Sequence, residues 1–246
     1  MVLVIIKALD IMEWVARDSG RTYSLTEIAE GLQMNQATCV NILQTLVSKN
    51  YIEHLGRKKG YRLGPMAYNL TNNLSYSQNL VLAAKVPMEE LTAQLNETSI
   101  LGIIRNQKRF IVHLVNSDQD LQVRSRTERS VYETATGRLL LAYFSPREQE
   151  AFWQSNGLPT ADTWPEAATP YGLTVELSSI RAQELAITRS SSHIIGLAVP
   201  VRKDQQVTAS LSVFVPEIRC SELRQKEITA ALRACSLTIS KRLNSL

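Results

Sequence analysis

The fold of the N-terminal part is decided by residues 24–48, which read SLTEIAEGLQMNQATCVNILQTLVS. Ser24 and Glu27 stand three residues apart, the spacing of a capping box. In that motif each of the two side chains satisfies a free backbone N–H at a helix start. The spacing predicts a short helix over residues 25–31. A second helical pattern follows after a brief connection, so this stretch is typical of a helix-turn-helix.

The second of these helices has a core face and an unusual outer face. Asn35 is a favourable N-cap for a helix over residues 36–49. Apolar side chains recur at the spacing of one helix face, at Cys39, Ile42, Leu43, Leu46 and Val47. The opposite face has amides and small apolar groups, at Gln36, Ala37, Val40, Asn41 and Gln44, where a solvated face would have Lys and Glu. Asn and Gln bond adenine edges bidentately and small apolar groups contact thymine methyls, so we expect this face to read DNA bases. The alternative is an ordinary polar helix face.

A basic hairpin follows the second helix. Residues 51–53 and 61–63 are expected to be strands, joined by a tight turn over residues 56–60. Its cations are Arg57, Lys58, Lys59 and Arg62. We expect these cations, together with Thr38 near the helix start, to contact DNA phosphates, which position a protein without reading sequence. The alternative is a solvated charged turn. An amphipathic helix over residues 3–17 precedes this unit.

The remainder of the chain mixes strands and helices. Strands are expected over residues 99–104, 109–115, 194–201 and 206–215. Helices are expected over residues 66–84, 136–144, 146–154 and 175–187 and from Ser221 onward, with Pro87 starting a further helix and residues 155–172 forming a loop. Hairpins alternating with helices predict an α+β domain in place of a parallel sheet.

Composition excludes several classes of protein. The chain has 246 residues, of which 44% are hydrophobic and 20% charged, a balance that allows a sizeable core. The longest apolar run, Ile194–Val201, is far short of the roughly 18 residues that span a bilayer, and no export signal is expected at the start. Three cysteines without a CxxC pair argue against a disulfide scaffold and fit a reducing cytoplasm. The formal net charge of +4 permits an anionic partner without identifying one.

Sequence motifs of enzymes are missing as well. The chain has no GxSxG, GxxxxGK[ST], GxGxxG or HExxH pattern. Its three histidines, His54, His113 and His193, are well separated and none stands at metal-ligand spacing with Cys or another His. We therefore expect no catalytic activity, no metal and no cofactor.

Several segments together make the chain resemble the IclR family of bacterial transcriptional regulators. The first half has SLTEIA at 24–29, LQTL at 43–46 and GYRLGP at 60–65, similar to the family's helix-turn-helix and wing. The second half has TATGRLLLA at 134–142, similar to the family's TAxGKxxLA segment. LAVPV at 197–201 and ASLSV at 209–213 are similar to its pair of C-terminal strands.

The resemblance implies three parts: a winged helix-turn-helix over residues 1–64, a linker helix over 65–84 and a GAF-like effector-binding domain over 85–246. It further implies a cytoplasmic, ligand-responsive regulator, a repressor in the commoner family mode. Such a regulator binds a near-palindromic double-stranded DNA operator as a homodimer or tetramer. The alternative is a constitutive DNA-binding protein whose C-terminal domain only oligomerises. About 160 residues exceed what oligomerisation alone requires, which favours the effector-binding interpretation.

The resemblance also implies where an effector binds. The site would lie between the helix start at Ala135, Thr136 and Gly137 and the two C-terminal strands, including Gly196, Ser210 and Ser212. Alternation puts both serines on one strand face. The family's acidic stretch is replaced here by residues 188–193, TRSSSH. A helix N-terminus favours anions, and Arg189 could bond a carboxylate bidentately, so we expect a small anionic metabolite such as a carboxylic acid. The alternative leaves Arg189 on a surface loop.

Overall fold

The structure is a computed structural model that describes residues 2–17, 21–56, 59–70, 78–121, 123 and 126–246. The chain forms two compact units, residues 1–75 and residues 76–246. Within these described ranges, no helix is both long and apolar enough to cross a membrane.

The first unit combines helices with one small hairpin. Its elements are α1 (Leu3–Ala16), α2 (Leu25–Gly31), α3 (Gln36–Ser48), β1 (Ile52–His54), β2 (Tyr61–Leu63) and α4 (Pro65–Asn69). The two strands pair antiparallel, from Ile52 opposite Leu63 to His54 opposite Tyr61. This order is that of a winged helix-turn-helix, as the sequence predicts.

Local signals explain the turn between α2 and α3. The capping box forms as predicted, since Ser24 accepts from the Glu27 N–H and Glu27 accepts from the Ser24 N–H. Asn35 caps α3 by accepting from the Ala37 N–H at 2.9 Å. Gly31 is required where α2 ends, because a Cβ there would lie 2.1 Å from the Trp14 ring of α1.

The second unit is one antiparallel sheet with helices on both faces. Its strands are β3 (Ser99–Arg105), β4 (Lys108–Val115), β5 (Glu128–Ser130), β6 (Ala186–Arg189), β7 (Ile194–Lys203) and β8 (Gln206–Pro216). Its helices are α5 (Gln78–Leu95), α6 (Ala135–Ala142), α7 (Pro146–Asn156), α8 (Pro170–Gln183) and α9 (Glu222–Asn244). The six strands lie in the order β5-β4-β3-β8-β7-β6.

Alternation along the strands divides the core of this unit into two layers. Leu101, Val199 and Leu211 point to one face, where they pack with α5 and α9. Ala186 and Ala198 point to the other face, where they pack with α6 and α8. Ser212 lies opposite Ile100 of β3 and Ala198 of β7, so its side chain belongs to the α6 layer.

The structure corrects the predicted helix over residues 175–187. The helix is α8, which begins within the predicted loop and ends at Gln183, and residues 186–189 form the edge strand β6. Glu184 ends the helix in a left-handed conformation, at φ 52°. This position usually has Gly or Asn, so the sequence gives no stop signal there.

The prediction that Pro87 starts a new helix is also wrong. Pro87 lies inside α5, which continues on both sides of it. Proline removes one N–H from the helix ladder. The burial of Ala83, Ala84, Met88 and Leu91 against the sheet holds the helix despite this loss. Residues 71–77 of the predicted linker helix over 65–84 lie outside the described residues. Its described parts include α4 and the start of α5, whose Leu80, Ala83 and Ala84 are part of the second unit's core.

Candidate functional site

The outer face of α3 is open to solvent, as its sequence pattern requires. Gln36, Ala37, Asn41 and Gln44 are exposed, and Thr38 and Val40 are partly exposed. The opposite face is buried, at Cys39, Ile42, Leu43 and Leu46. The structure therefore places all five expected base-reading side chains on one accessible helix face, with Thr38 near its start.

Only part of the expected wing is described. Arg57 and Lys58 lie outside the described residues, whereas Lys59 is exposed just before β2. Arg62 is exposed as well, and its Nε lies 2.8 Å from Oε2 of Glu53 on the paired strand. Exposed ion pairs of this kind contribute about 0–1 kcal/mol to stability, so Arg62 could exchange Glu53 for a DNA phosphate at little cost.

The expected effector residues of α6 lie at its buried N-terminal turn. Thr134 caps the helix by accepting from the Gly137 N–H at 3.1 Å. Ala135, Thr136 and Gly137 are all buried. A Cβ on Gly137 would lie 2.2 Å from the Val131 carbonyl oxygen, so the helix start approaches the preceding backbone more closely than any larger residue allows.

Two of the expected hydroxyls meet between α6 and the sheet. The Thr136 and Ser212 hydroxyl oxygens are 2.8 Å apart, and both side chains are fully buried. Ser212 also donates to the Ile100 carbonyl at 3.3 Å, so the Thr136 hydroxyl is the donor in the pair. Ser210 is fully buried on the same strand face, and its hydroxyl has no hydrogen-bond partner among the described residues. An unsatisfied buried hydroxyl in a native core calls for an explanation, such as a ligand or water.

A buried arginine that sequence reasoning missed lies beside these hydroxyls. Arg109 of β4 is fully buried. A Cβ built on Gly102 would lie 2.6 Å from Thr136 Cγ2 and 3.6 Å from Arg109 Cδ, so both side chains pack against this glycine. Nη1 of Arg109 donates to the Arg126 carbonyl at 3.1 Å and to the Thr127 carbonyl at 3.5 Å.

The electrostatic environment of Arg109 is that of a desolvated cation. Burial, followed by repulsion from Arg129, lowers the pKa of Arg109 to about 10, although Glu133 acts in the opposite direction. The Glu133 carboxylate is itself bonded by Arg129 at 3.0 Å. Arg109 stays charged at neutral pH, and its Cδ and the Thr136 methyl group lie on the same side of Gly102. The only sequence signal for it is a cation at an inward position of a strand.

Arg189 lies away from this cluster, contrary to the expected clamp. Because residues 186–189 form a strand, side chains alternate, and Thr188 is buried whereas Arg189 is exposed. Nη1 of Arg189 lies 2.9 Å from Oε1 of Glu217, with 69% of the Arg189 side chain exposed. The sequence predicts a helix through residue 187 and no strand at residues 186–189, so it does not predict this alternation.

Gly196 lies on β7 at the far side of the same sheet face. A Cβ there would lie 2.8 Å from the Thr188 hydroxyl and 2.9 Å from the Phe214 ring. The Phe214 ring thus occupies the space that a side chain at position 196 would need. Among the described residues, no three His, Cys, Asp or Glu side chains gather as metal ligands would.

Comparison with known proteins agrees with this architecture. The family model described as "Bacterial transcriptional regulator IclR C-terminal" matches residues 73–241, and the "IclR helix-turn-helix domain" matches residues 4–56. The two units are thus those of a DNA-binding regulator. The chain belongs to the IclR family of bacterial transcriptional regulators, which are not enzymes.

Relatives of known function class are similar over nearly the whole chain. The HTH-type transcriptional regulator KdgR of Escherichia coli K12 is 26% identical over 241 residues, covering 96% of this chain and 90% of KdgR. BhcR of Paracoccus denitrificans is 25% identical over 233 residues, covering 92% and 82% of the two chains.

Solved structures share the fold. The IclR protein of Thermotoga maritima superposes with a TM-score of 0.73 at 20% identity, covering 99% of this chain and 100% of that one. An IclR homologue from Microbacterium hydrocarbonoxydans, crystallised with 4-hydroxybenzoate, gives a TM-score of 0.73 at 19% identity with the same coverage.

Proposed function

We propose that this regulator is a cytoplasmic repressor whose affinity for its operator is changed by a small anionic metabolite bound in the second unit. Repression and the location follow from the mode common in the family. The division into a DNA-binding part at 1–64, a linker at 65–84 and an effector-binding part at 85–246 belongs to the same proposal.

The observation that supports an anionic effector is the buried group formed by Arg109, Thr136 and Ser212. A carboxylate bound there could accept hydrogen bonds from the Arg109 guanidinium, and the Thr136 and Ser212 hydroxyls could rotate to donate to it. The N-terminal turn of α6 adds a partial positive charge. Arg109 therefore takes the role that the sequence suggested for Arg189.

DNA recognition is assigned to the exposed face of α3. Gln36, Asn41 and Gln44 would bond base edges, while Ala37 and Val40 would contact thymine methyls. Thr38, Arg57, Lys58, Lys59 and Arg62 would contact phosphates.

Binding to a near-palindromic operator requires two copies of the chain, and we assign a homodimer or tetramer. Exposed aliphatic side chains on α1 support self-association. Leu3 is 68% exposed, Ile5 57% and Leu9 54%, which is a large apolar surface for a monomer to leave in water.

Calorimetry with small carboxylic acids tests the effector assignment, beginning with 4-hydroxybenzoate, with which the Microbacterium homologue was crystallised. An acid that binds the wild type should bind Arg109→Met at least tenfold more weakly, because one charge-assisted hydrogen bond is removed. Arg189→Met is the matched control and should bind like the wild type.

The opposite pattern, with weak binding by Arg189→Met and normal binding by Arg109→Met, would show that Arg189 binds the carboxylate. Arg109→Lys keeps the charge and serves where Arg109→Met fails to fold. If neutral ligands alone bind, the anionic assignment is wrong. If nothing binds, the constitutive alternative replaces it.

A further inference from the structure

Helices α5 and α9 lie side by side on one face of the sheet and run in opposite directions. Sγ of Cys235 donates to the Pro87 carbonyl at 3.3 Å, and Nη2 of Arg224 donates to the Leu95 carbonyl. Progress along α9 from residue 224 to residue 235 therefore matches progress back along α5 from residue 95 to residue 87. By the same relation, residues 82–86 of α5 lie level with residues 236–242 of α9.

The outer face of α5 is apolar where a solvated helix would be charged. Leu82 is 53% exposed and Val86 43%, and Ala93 is exposed as well. Their spacing of four and seven residues places the three side chains on one helix face. The inner face has its own apolar residues, which pack against the sheet. The helix is therefore apolar on both sides, which is unusual at a protein surface.

The outer face of α9 continues this apolar surface. Leu223 is 69% exposed and Leu237 57%, and Ala230 and Ala234 between them are exposed. Leu223, Ala230 and Leu237 recur at intervals of seven residues, so they share one helix face. Leu237 lies level with Val86 of α5 and extends its apolar surface. A contiguous exposed apolar surface of this kind marks an interaction site.

The two helices differ in the sign of their charge. The α5 helix has two carboxylates, Glu89 and Glu90, and one cation, Lys85. The α9 helix has five cations and two carboxylates, and one of these carboxylates, Glu227, is bonded by Arg224 at 3.1 Å. Electrostatic complementarity therefore favours α5 of one copy against α9 of a second copy, whereas two α9 helices would repel each other.

The face formed by the two helices is large enough for a stable interface. The α5 helix has 18 residues and is about 27 Å long at 1.5 Å per residue, and two adjacent helices are about 20 Å wide. Each copy therefore offers about 540 Å², or about 1,100 Å² in two copies, which reaches the roughly 1,000 Å² expected of a specific protein interface.

We propose that the outer face of α5 and α9 binds a second copy of this chain, with α5 of each copy against α9 of the other. A two-fold axis parallel to the helices makes this contact twice and keeps the matched levels together. Val86 then packs against the partner's Leu237, and Glu90 lies toward the partner's Lys226. This surface belongs to the second unit and is separate from α1 and from the proposed effector site. A chain that self-associates through both α1 and this surface forms a tetramer.

Sedimentation velocity of the full chain tests this interface. Leu237→Glu should halve the mass of the assembly, because the added carboxylate would be buried against an apolar side chain. Val175→Glu is the matched control and should keep the wild-type mass, since Val175 is an exposed apolar residue of α8 on the other face of the sheet. Ile5→Glu changes the α1 surface alone, and its combination with Leu237→Glu should give monomers.

A charge exchange tests which helices meet. Glu90→Lys and Lys226→Glu should each weaken association at least tenfold, and the two changes together in one chain should restore it. Glu90→Lys combined with Lys203→Glu is the control, because Lys203 ends β7 and lies outside both helices. This control pair should not restore association.

A wild type that stays monomeric at micromolar concentration, or an unchanged mass in Leu237→Glu, would overturn the proposal. Failure of Glu90→Lys with Lys226→Glu to restore association would overturn the pairing of α5 with α9. If Leu237→Glu halves the mass and Ile5→Glu does not, this interface stands and the association through α1 is wrong.

Discussion

The hydrogen bond between Thr136 and Ser212 can be measured by a double-mutant cycle on the second unit. The variants are Thr136→Val, Ser212→Ala and the combination of the two. Valine has the shape of threonine, so the methyl group that lies over Gly102 stays in place. Both hydroxyls are fully buried, so a hydroxyl that loses its partner is shielded from bulk solvent.

The expected magnitudes differ between the two single variants. Thr136→Val leaves Ser212 bonded to the Ile100 carbonyl, so the loss is that of one neutral hydrogen bond, about 1 kcal/mol. Ser212→Ala removes the acceptor of the Thr136 hydroxyl, and a buried unsatisfied group costs about 2 kcal/mol. With both hydroxyls removed the site is apolar, and we expect a total loss of only about 1 kcal/mol. The coupling energy is then about 2 kcal/mol, within the range for residues that touch.

Urea unfolding read by tryptophan emission gives these free energies. Trp14 lies in the first unit, so a Trp14→Phe background leaves Trp153 and Trp164 to report on the second unit alone. Thr136→Val combined with Ser236→Ala is the matched control, because Ser236 bonds the Pro200 carbonyl from α9 on the other sheet face. This control pair should be additive to within about 0.5 kcal/mol. The same additivity for Thr136→Val with Ser212→Ala would show that the two hydroxyls are not bonded.

Three further predictions concern both units. Asn41→Ala should preserve the fold and relax base preference at one operator position by about 1–3 kcal/mol, and equal discrimination between operator and scrambled DNA in both proteins would refute the base-reading assignment. Replacing Lys58 and Lys59 by Ala should weaken binding to every sequence, with the slope of log K against log salt reduced by about 0.9 for each phosphate that is no longer neutralised; an unchanged slope would identify a solvated turn. Replacing Gly by Ala usually stabilises a helix interior, but a Cβ on residue 137 would lie 2.2 Å from the Val131 carbonyl oxygen. We therefore expect Gly137→Ala to lower the free energy of unfolding in urea by about 1–3 kcal/mol. A higher free energy of unfolding would contradict this geometry.

The first unit could be predicted closely from sequence because its signals are local. The capping box at Ser24 and Glu27, the N-cap at Asn35 and the 3.6-residue periodicity of α3 each act over a few residues. The helix bounds expected from them agree with α2 and α3 to within one residue. The solvent-exposed face of α3 followed from the same periodicity.

The second unit depends on interactions between distant residues, and sequence reasoning failed where these decide. The strand β6 is only four residues long and owes its conformation to pairing with β7. Once that strand is missed, the outward direction of Arg189 is missed with it. Arg109 starts a strand that the sequence predicts, but only the fold brings its Cδ and the Thr136 methyl group to the same side of Gly102.

Fluorescence anisotropy measures directly whether an anion bound beside Arg109 changes the affinity for DNA. A labelled DNA fragment from beside the protein's own gene is titrated with wild type, Arg109→Met and Arg189→Met, with and without each of a panel of small carboxylic acids and their amides. We predict that at least one acid shifts the dissociation constant of the wild type and of Arg189→Met, that its amide does not, and that Arg109→Met binds the DNA without responding. An unchanged dissociation constant with every acid, or a full response in Arg109→Met, would contradict the role proposed for Arg109.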